Sequence, residues 1–100
     1  MARYRFTNKA VDDLTQIWNY TRNKWSENRA DIYYHMLLGN CKEVASNPDL
    51  GKSYFGIMDC LLGFKAGRHI IFYRKIEENE IEIVRILHEQ MDLKNRVKDL

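Results

Sequence analysis

Two apolar runs, His69 to Ile76 and Ile81 to Leu87, flank the polar tetrad Glu77-Glu78-Asn79-Glu80. Both runs are rich in Val, Ile, Phe and Tyr, and their length suits strands rather than helices. A tight turn at Glu78-Asn79 joins them as an antiparallel hairpin, because Asn tolerates the left-handed backbone that such turns use. Setting Ile76 opposite Ile81 pairs Arg74 with Ile83, Tyr73 with Val84, Phe72 with Arg85, Ile71 with Ile86, Ile70 with Leu87 and His69 with His88. Alternation then places Ile70, Phe72, Ile76, Ile81, Ile83 and Leu87 on one face, with Arg74 and Arg85 among them. The other face carries Ile71, Tyr73, Val84 and Ile86, with His69 and His88 at one end and Lys75 and Glu82 nearer the turn. A hairpin wetted on one side alternates apolar and polar residues. This one does not, which predicts that both of its faces are covered.

The rest of the pattern is simpler. Ala2, Tyr4 and Phe6 alternate with Arg3 and Arg5, as in a short half-buried strand near a sheet edge. Thr7 or Asn8 is placed to cap a helix in which Val11, Leu14, Ile17, Trp18, Thr21 and Trp25 recur at three- and four-residue steps, ending at about Lys24. Asp12 and Asp13 lie near its positive end. Ser26 caps a second helix, with Ala30, Tyr33, Tyr34, Leu37, Leu38, Cys41, Val44 and Ala45 as its buried stripe. Asn47-Pro48 stops that helix. The link between the helices is short enough to force an antiparallel helical hairpin.

Asp49 to Asp59 carries only weak loop signals. Cys60 to Lys65 reads as a strand, Ala66-Gly67 as a turn, and Lys94 to Lys98 as a short charged tail. The predicted order is β-α-α-β-β-β. It implies a two-layer α+β domain with a helical hairpin on a mostly antiparallel sheet and the first strand beside the last. One helical layer covers one sheet face, which leaves the second face for another polypeptide.

Composition narrows the class. The chain of 100 residues suits one domain, residues 1–100, with mixed charges and a net charge of +2. That balance permits an acidic or nucleic-acid partner without requiring one. MARYRFTNKA lacks the apolar core of a signal peptide and no run is long enough to span a bilayer, so a cytoplasmic location without membrane association is expected. Cys41 and Cys60 lack CxxC spacing and are expected to be reduced, buried thiols.

The run Gly67-Arg68-His69-Ile70-Ile71-Phe72-Tyr73-Arg74, then Glu82-Ile83-Val84-Arg85-Ile86-Leu87-His88 and Met91-Asp92, resembles the ParE branch of the RelE/ParE toxins of bacterial toxin–antitoxin modules. Upstream, Ile17-Trp18 with Tyr20, Ala30, and Asn47-Pro48 with Leu50-Gly51 fit the same pattern. One departure is local. Members often carry Gly-Leu-Arg where this chain has Cys60-Leu61-Leu62, so a turn glycine and a basic side chain are missing. The resemblance implies a growth-inhibiting toxin held silent by a ParD-like antitoxin encoded beside it. The ParE branch is associated with poisoning DNA gyrase without chemistry of its own, whereas the RelE branch cuts messenger RNA on the ribosome. Neither reading calls for a cofactor, and direct nucleic-acid binding is not expected.

RNA cleavage needs a base, an acid and cations on the phosphorane. His88, His69, Tyr73, Arg68, Arg74 and Arg85 include the required types, and a nuclease would draw on Arg68, Arg85 and His88. Arg85 and His88 are an odd number of residues apart on one strand, however, and so point to opposite faces. Arg74 likewise faces away from Tyr73 and His69. These positions favour a non-enzymatic toxin over the ribosome-dependent endonuclease.

The facing pair His69 and His88 offers two metal ligands but no third at a recognised spacing. A cross-strand aromatic pair with one nitrogen of each bonded to backbone is the simpler reading, and no metal site is assigned. Arg74 and Arg85 suit either ion pairs with helix carboxylates or contacts with an acidic partner. Tyr20 falls off the buried stripe and Trp25 lies at its end. With Arg68, Arg74, Arg85, His88 and Met91 they make up the candidate antitoxin- or target-binding residues. The Lys94–Lys98 tail is a further candidate by family analogy.

Overall fold

Thr7 begins the first helix by accepting a hydrogen bond at its Oγ1 from the Ala10 N–H, at 3.1 Å. Ser26 does the same for the second, its Oγ accepting from the Arg29 N–H at 3.1 Å. Each cap satisfies a backbone donor that a helix start otherwise leaves unpaired. The computed structural model describes residues 2–54 and 60–90. Its elements are β1 (Arg3–Phe6), α1 (Asn8–Lys24), α2 (Glu27–Ser46), a 3-10 turn (Pro48–Leu50), β2 (Lys52–Ser53), β3 (Leu62–Ala66), β4 (His69–Glu77) and β5 (Glu80–His88). The sheet order is β1-β5-β4-β3-β2. β1 runs parallel to β5, and the other pairings are antiparallel. The expected α+β architecture and the neighbouring first and last strands are present. β2 is an additional strand that the weak signals after Pro48 did not predict.

The β4–β5 hairpin corrects the expected register in its middle. His69 faces His88, and the pairing runs as expected to Phe72 opposite Arg85. Val84 is then extra, so Tyr73 opposes Ile83, Arg74 opposes Glu82 and Lys75 opposes Ile81. Past Ile76, Glu77 meets Glu80 across the turn Glu78-Asn79. One bulge on each strand shifts the register and shifts it back. A one-residue slip moves side chains across the sheet. Ile81 and Ile83 therefore join Ile71, Tyr73 and Ile86 against the helices, while Val84 joins Ile70, Phe72 and Leu87 on the other side. Asn79 is not left-handed. Among the described residues only Cys60 (φ 63°) and Gly67 (φ 60°) have positive φ.

The main core lies between layers. Ala10 and Leu14 of α1 and Leu37, Cys41 and Val44 of α2 pack on Ile71, Tyr73, Ile81, Ile83 and Ile86. Each fully buried Leu or Ile contributes about 1.5–3 kcal/mol of transfer free energy, which makes this layer the chief source of stability. Burial pushes the Cys41 thiol up to about 12. Cys60, expected to be buried, is exposed.

The second sheet face overturns the expectation that another chain must complete it. Its half near the turn is polar, with Arg74 bonded to Glu82 at 2.6 Å and Arg3 and Arg5 beside Glu77, Glu80 and Glu82. Its other half is apolar but already buried in this chain: Ile70, Phe72, Val84 and Leu87 are at most 8% exposed, with Leu61 and Tyr54 against them. The bulges are the physical reason for the polar half, since they withdraw Ile81 and Ile83 to the helix side and leave Glu82 opposite Arg74.

Candidate functional site

The helix side holds the exposed apolar surface. β1 ends at Phe6, and α1 starts almost at once because Thr7 is anchored in the sheet. The Thr7 N–H donates to Ile83 O at 3.0 Å, and its hydroxyl donates to Val84 O at 2.8 Å. This entry angle opens a groove of about 460 Å³ between α1, α2 and β1, lined by Phe6, Val11, Leu14, Thr15, Trp18, Asp31, Tyr34 and His35. Val11, expected in the buried stripe, is 48% exposed there. The Trp18 indole donates Nε1–H to Asp31 Oδ1 at 2.9 Å, and the Arg22 guanidinium lies 5.3 Å from its ring centroid. His35 is held by a 2.7 Å bond between Nδ1 and the Asp31 carbonyl. The groove floor is apolar and its rim polar, which suits an apolar side chain on a partner's helix or extended segment.

A second cluster forms where β4 and β5 end. The His69 and His88 rings meet edge to face at 5.2 Å. The Tyr33 hydroxyl of α2 accepts from the Arg68 N–H at 3.1 Å and lies 2.6 Å from His69 Nδ1. The Tyr33 hydroxyl and His69 Nδ1 thus share a hydrogen bond whose direction follows the imidazole tautomer. Burial first, then the His88 charge, pull the His69 imidazole down to about 4. Burial also raises the Tyr33 hydroxyl, against the opposing effect of Arg68. His88 Nδ1 accepts from the Gln90 N–H at 3.1 Å. The aromatic-pair reading is thus borne out for His88, while His69 uses a side chain instead of the expected backbone partner. Lys65 holds Glu89 at 3.1 Å and keeps its carboxyl below the usual range. Among the described residues, no three His, Cys, Asp or Glu side chains are grouped to hold a metal ion.

The candidates named from sequence do not converge. Tyr20 and Trp25 are exposed, with Lys24 and Arg29 over their rings at 5.6 and 5.2 Å. Arg68 is exposed on the β3–β4 turn. Arg74 is bonded to Glu82 on the sheet's polar half rather than to a helix. Arg85 is held by Asp13 of α1, through Nε at 2.7 Å and Nη2 at 2.9 Å. Arg68 and His88 share one end of the sheet, but Arg85 is engaged with α1, so the three nuclease candidates do not assemble around one point. Met91 and the Lys94–Lys98 tail lie outside the described residues. Sequence reasoning missed the groove. Its signal was the sequence Val11, Thr15, Trp18, Arg22, which stacks on one flank of α1 beside the buried stripe.

Residues 4–93 match the family described as ParE toxin of type II toxin-antitoxin system, parDE. Toxin ParE1 of Mycobacterium tuberculosis is 33% identical over 92 residues, covering 92% of this chain and 94% of the relative. Toxin ParE1 of Caulobacter vibrioides is 29% identical with the same coverage. Toxin ParE of Escherichia coli is 28% identical over 99 residues, covering 99% of this chain and 96% of the relative. A solved structure titled chromosomal ParDE TA system from P. aeruginosa shares the fold, with a TM-score of 0.74 at 18% identity over 88% of this chain and 96% of that one.

Proposed function

The chain belongs to the ParE toxin family of type II toxin–antitoxin systems, and from that premise we propose that it arrests growth by binding DNA gyrase as a protein ligand in the cytoplasm. On this reading it does no bond chemistry of its own. A ParD-like antitoxin silences it by seating an apolar segment in the groove between α1 and α2. The observation that carries the non-enzymatic reading is the Asp13–Arg85 pair. The guanidinium that a nuclease would aim at a scissile phosphate is instead held by a carboxylate at 2.7 Å, with both side chains about nine-tenths buried. Burial holds His69 neutral down to about 4, which disfavours it as a general acid near neutral pH.

The groove supports the antitoxin assignment by its chemistry. Each apolar side chain seated on Val11 and Trp18 is worth about 1.5–3 kcal/mol before the costs of association are subtracted. Aromatic anchors such as Trp18 are frequent centres of binding energy.

Purified gyrase acting on supercoiled plasmid tests the reading. Adding the chain should trap double-strand breaks, while transcripts in expressing cells stay intact by primer extension. Codon-sited cuts in those transcripts, with no trapped breaks, would replace gyrase poisoning by ribosome-dependent RNA cleavage. Val11→Asp should release the chain from its antitoxin and leave gyrase poisoning in place.

A further inference from the structure

Opposite the groove, α2 presents a second apolar surface. Arg29, Ile32 and Met36 follow one another at steps of three and four residues and so form one stripe along the helix flank, and Trp25, in the link just before α2, lies beside its start. Trp25 is 61% and Ile32 62% exposed. The Arg29 guanidinium lies 5.2 Å from the Trp25 ring centroid. At the far end of the stripe the β3–β4 turn packs on the helix. Gly67 leaves no room for a side chain there, since a Cβ would lie 2.8 Å from Tyr33 Oη and 3.1 Å from Met36 Cε. This close approach sets the exposed Arg68 beside the stripe, with its N–H bonded to Tyr33. Past Met36, nothing lies within 4 Å of where a Gly39 side chain would begin, so the helix surface is open to a neighbour.

On this flank, from Trp25 to Met36, the charge is Arg29, with Arg68 beside it, and Glu43 follows on the same flank two turns past Met36. Among the described residues neither Arg29 nor Arg68 forms an ion pair. Glu89, the carboxylate that acts on Arg68, already holds Lys65 at 3.1 Å. An exposed Ile and Trp framed by two guanidinium groups that are in no ion pair among the described residues form a surface complementary to an apolar side chain flanked by carboxylates. A nucleic-acid strand fits less well. It needs a longer track of cations, and Ile32 provides no stacking face for a base.

We infer that the outer flank of α2, formed by Trp25, Arg29, Ile32 and Met36 with Arg68, is the surface that grips the toxin's target, through an acidic protein segment carrying an apolar anchor. This rests on the reading of the chain as a gyrase ligand and adds which surface serves it. Antitoxin in the groove and target on the flank then occupy opposite sides of one helix.

The test uses Ile32→Asp, the double variant Arg29→Glu with Arg68→Glu, and the conservative Arg29→Lys. Each is assayed for binding to purified gyrase, trapping of plasmid breaks, antitoxin binding and thermal unfolding. The inference requires Ile32→Asp and the double Glu variant to lose about tenfold or more in gyrase affinity. Their unfolding and antitoxin binding should match the unsubstituted chain, and Arg29→Lys should keep most of the affinity. Unchanged gyrase binding in the variants would overturn the flank assignment and leave the gyrase reading standing. Failure of the unsubstituted chain to bind gyrase would remove that reading and the assignment with it. Loss of antitoxin binding in the flank variants would give the flank to the antitoxin instead. Binding of the chain to gyrase-free plasmid that the double Glu variant abolishes would make the partner DNA.

Discussion

Asp13 and Arg85 stand 72 positions apart and meet in a doubly hydrogen-bonded ion pair, at 2.7 and 2.9 Å. The same carboxylate accepts the Ile86 N–H at 3.0 Å. β1 pairs with β5 only as far as Ile83, so α1 supplies through Asp13 the acceptor that a longer β1 would have provided.

Removing one partner should therefore cost more than removing both. Asp13→Ala leaves a largely buried guanidinium and an unpaired backbone donor, and is expected to destabilise the protein by about 3–5 kcal/mol. Asp13→Leu combined with Arg85→Leu should cost markedly less. Urea denaturation of the single and double variants measures the difference.

Tyr73 ties the sheet to the segment after α2. Its hydroxyl donates to Pro48 O at 2.6 Å and accepts from the Gly51 N–H at 2.9 Å. Tyr73→Phe keeps the ring but leaves both backbone groups without this partner, at a cost of about 1–3 kcal/mol. Hydrogen exchange at Gly51 should accelerate beyond that of the α2 amides.

Cys60 sits at φ 63°, a conformation that costs an L-residue about 1–2 kcal/mol. The resemblance to the ParE branch leads to the expectation of a glycine here, and this backbone conformation suits one. Cys60→Gly is expected to stabilise the chain by about 0.5–1 kcal/mol, since relief of strain is partly offset by the freer unfolded chain. Cys60→Ala should bring no such gain. Thermal unfolding of the two variants checks the prediction.

His69 makes stability pH-dependent in a defined window. Its folded-state pKa lies near 4 against an ordinary 6.5, so between those values the unfolded chain binds the extra proton. Its contribution is present in full above about 6.5 and is lost as the pH falls towards 4. The urea midpoint should decline across that range, and His69→Gln should flatten that part of the profile.

What could be read from sequence was what local chemistry decides. Thr7-Asn8 and Ser26 announce both helix starts, Asn47-Pro48 ends the second, and Glu78-Asn79 is the hairpin turn. The His69–His88 pairing followed from counting outward from that turn. The bulges at Val84 and Ile76 could not be counted, because strand pairing across β4 and β5 decides them. They reassigned Ile81, Ile83 and Val84 and cancelled the reason for expecting a bare sheet face. Val11 fits the apolar stripe of α1 on paper, yet its exposure depends on where β1 stops. Arg85 was left open between partner and ion pair, and only the fold brings Asp13 to it.

The first strand of the chain lies against the last, and the Thr7–Val84 hydrogen bond spans 77 positions. A ribosome delivers the N-terminal strand and both helices well before the strand on which they close. Until Glu80–His88 has emerged, the greasy undersides of the helices have no floor, and loop-closure entropy slows so distant a pairing even then. The groove and the outer flank of α2 thus take shape only after Glu80–His88 has left the ribosome, so the helices wait on the strand that closes the fold.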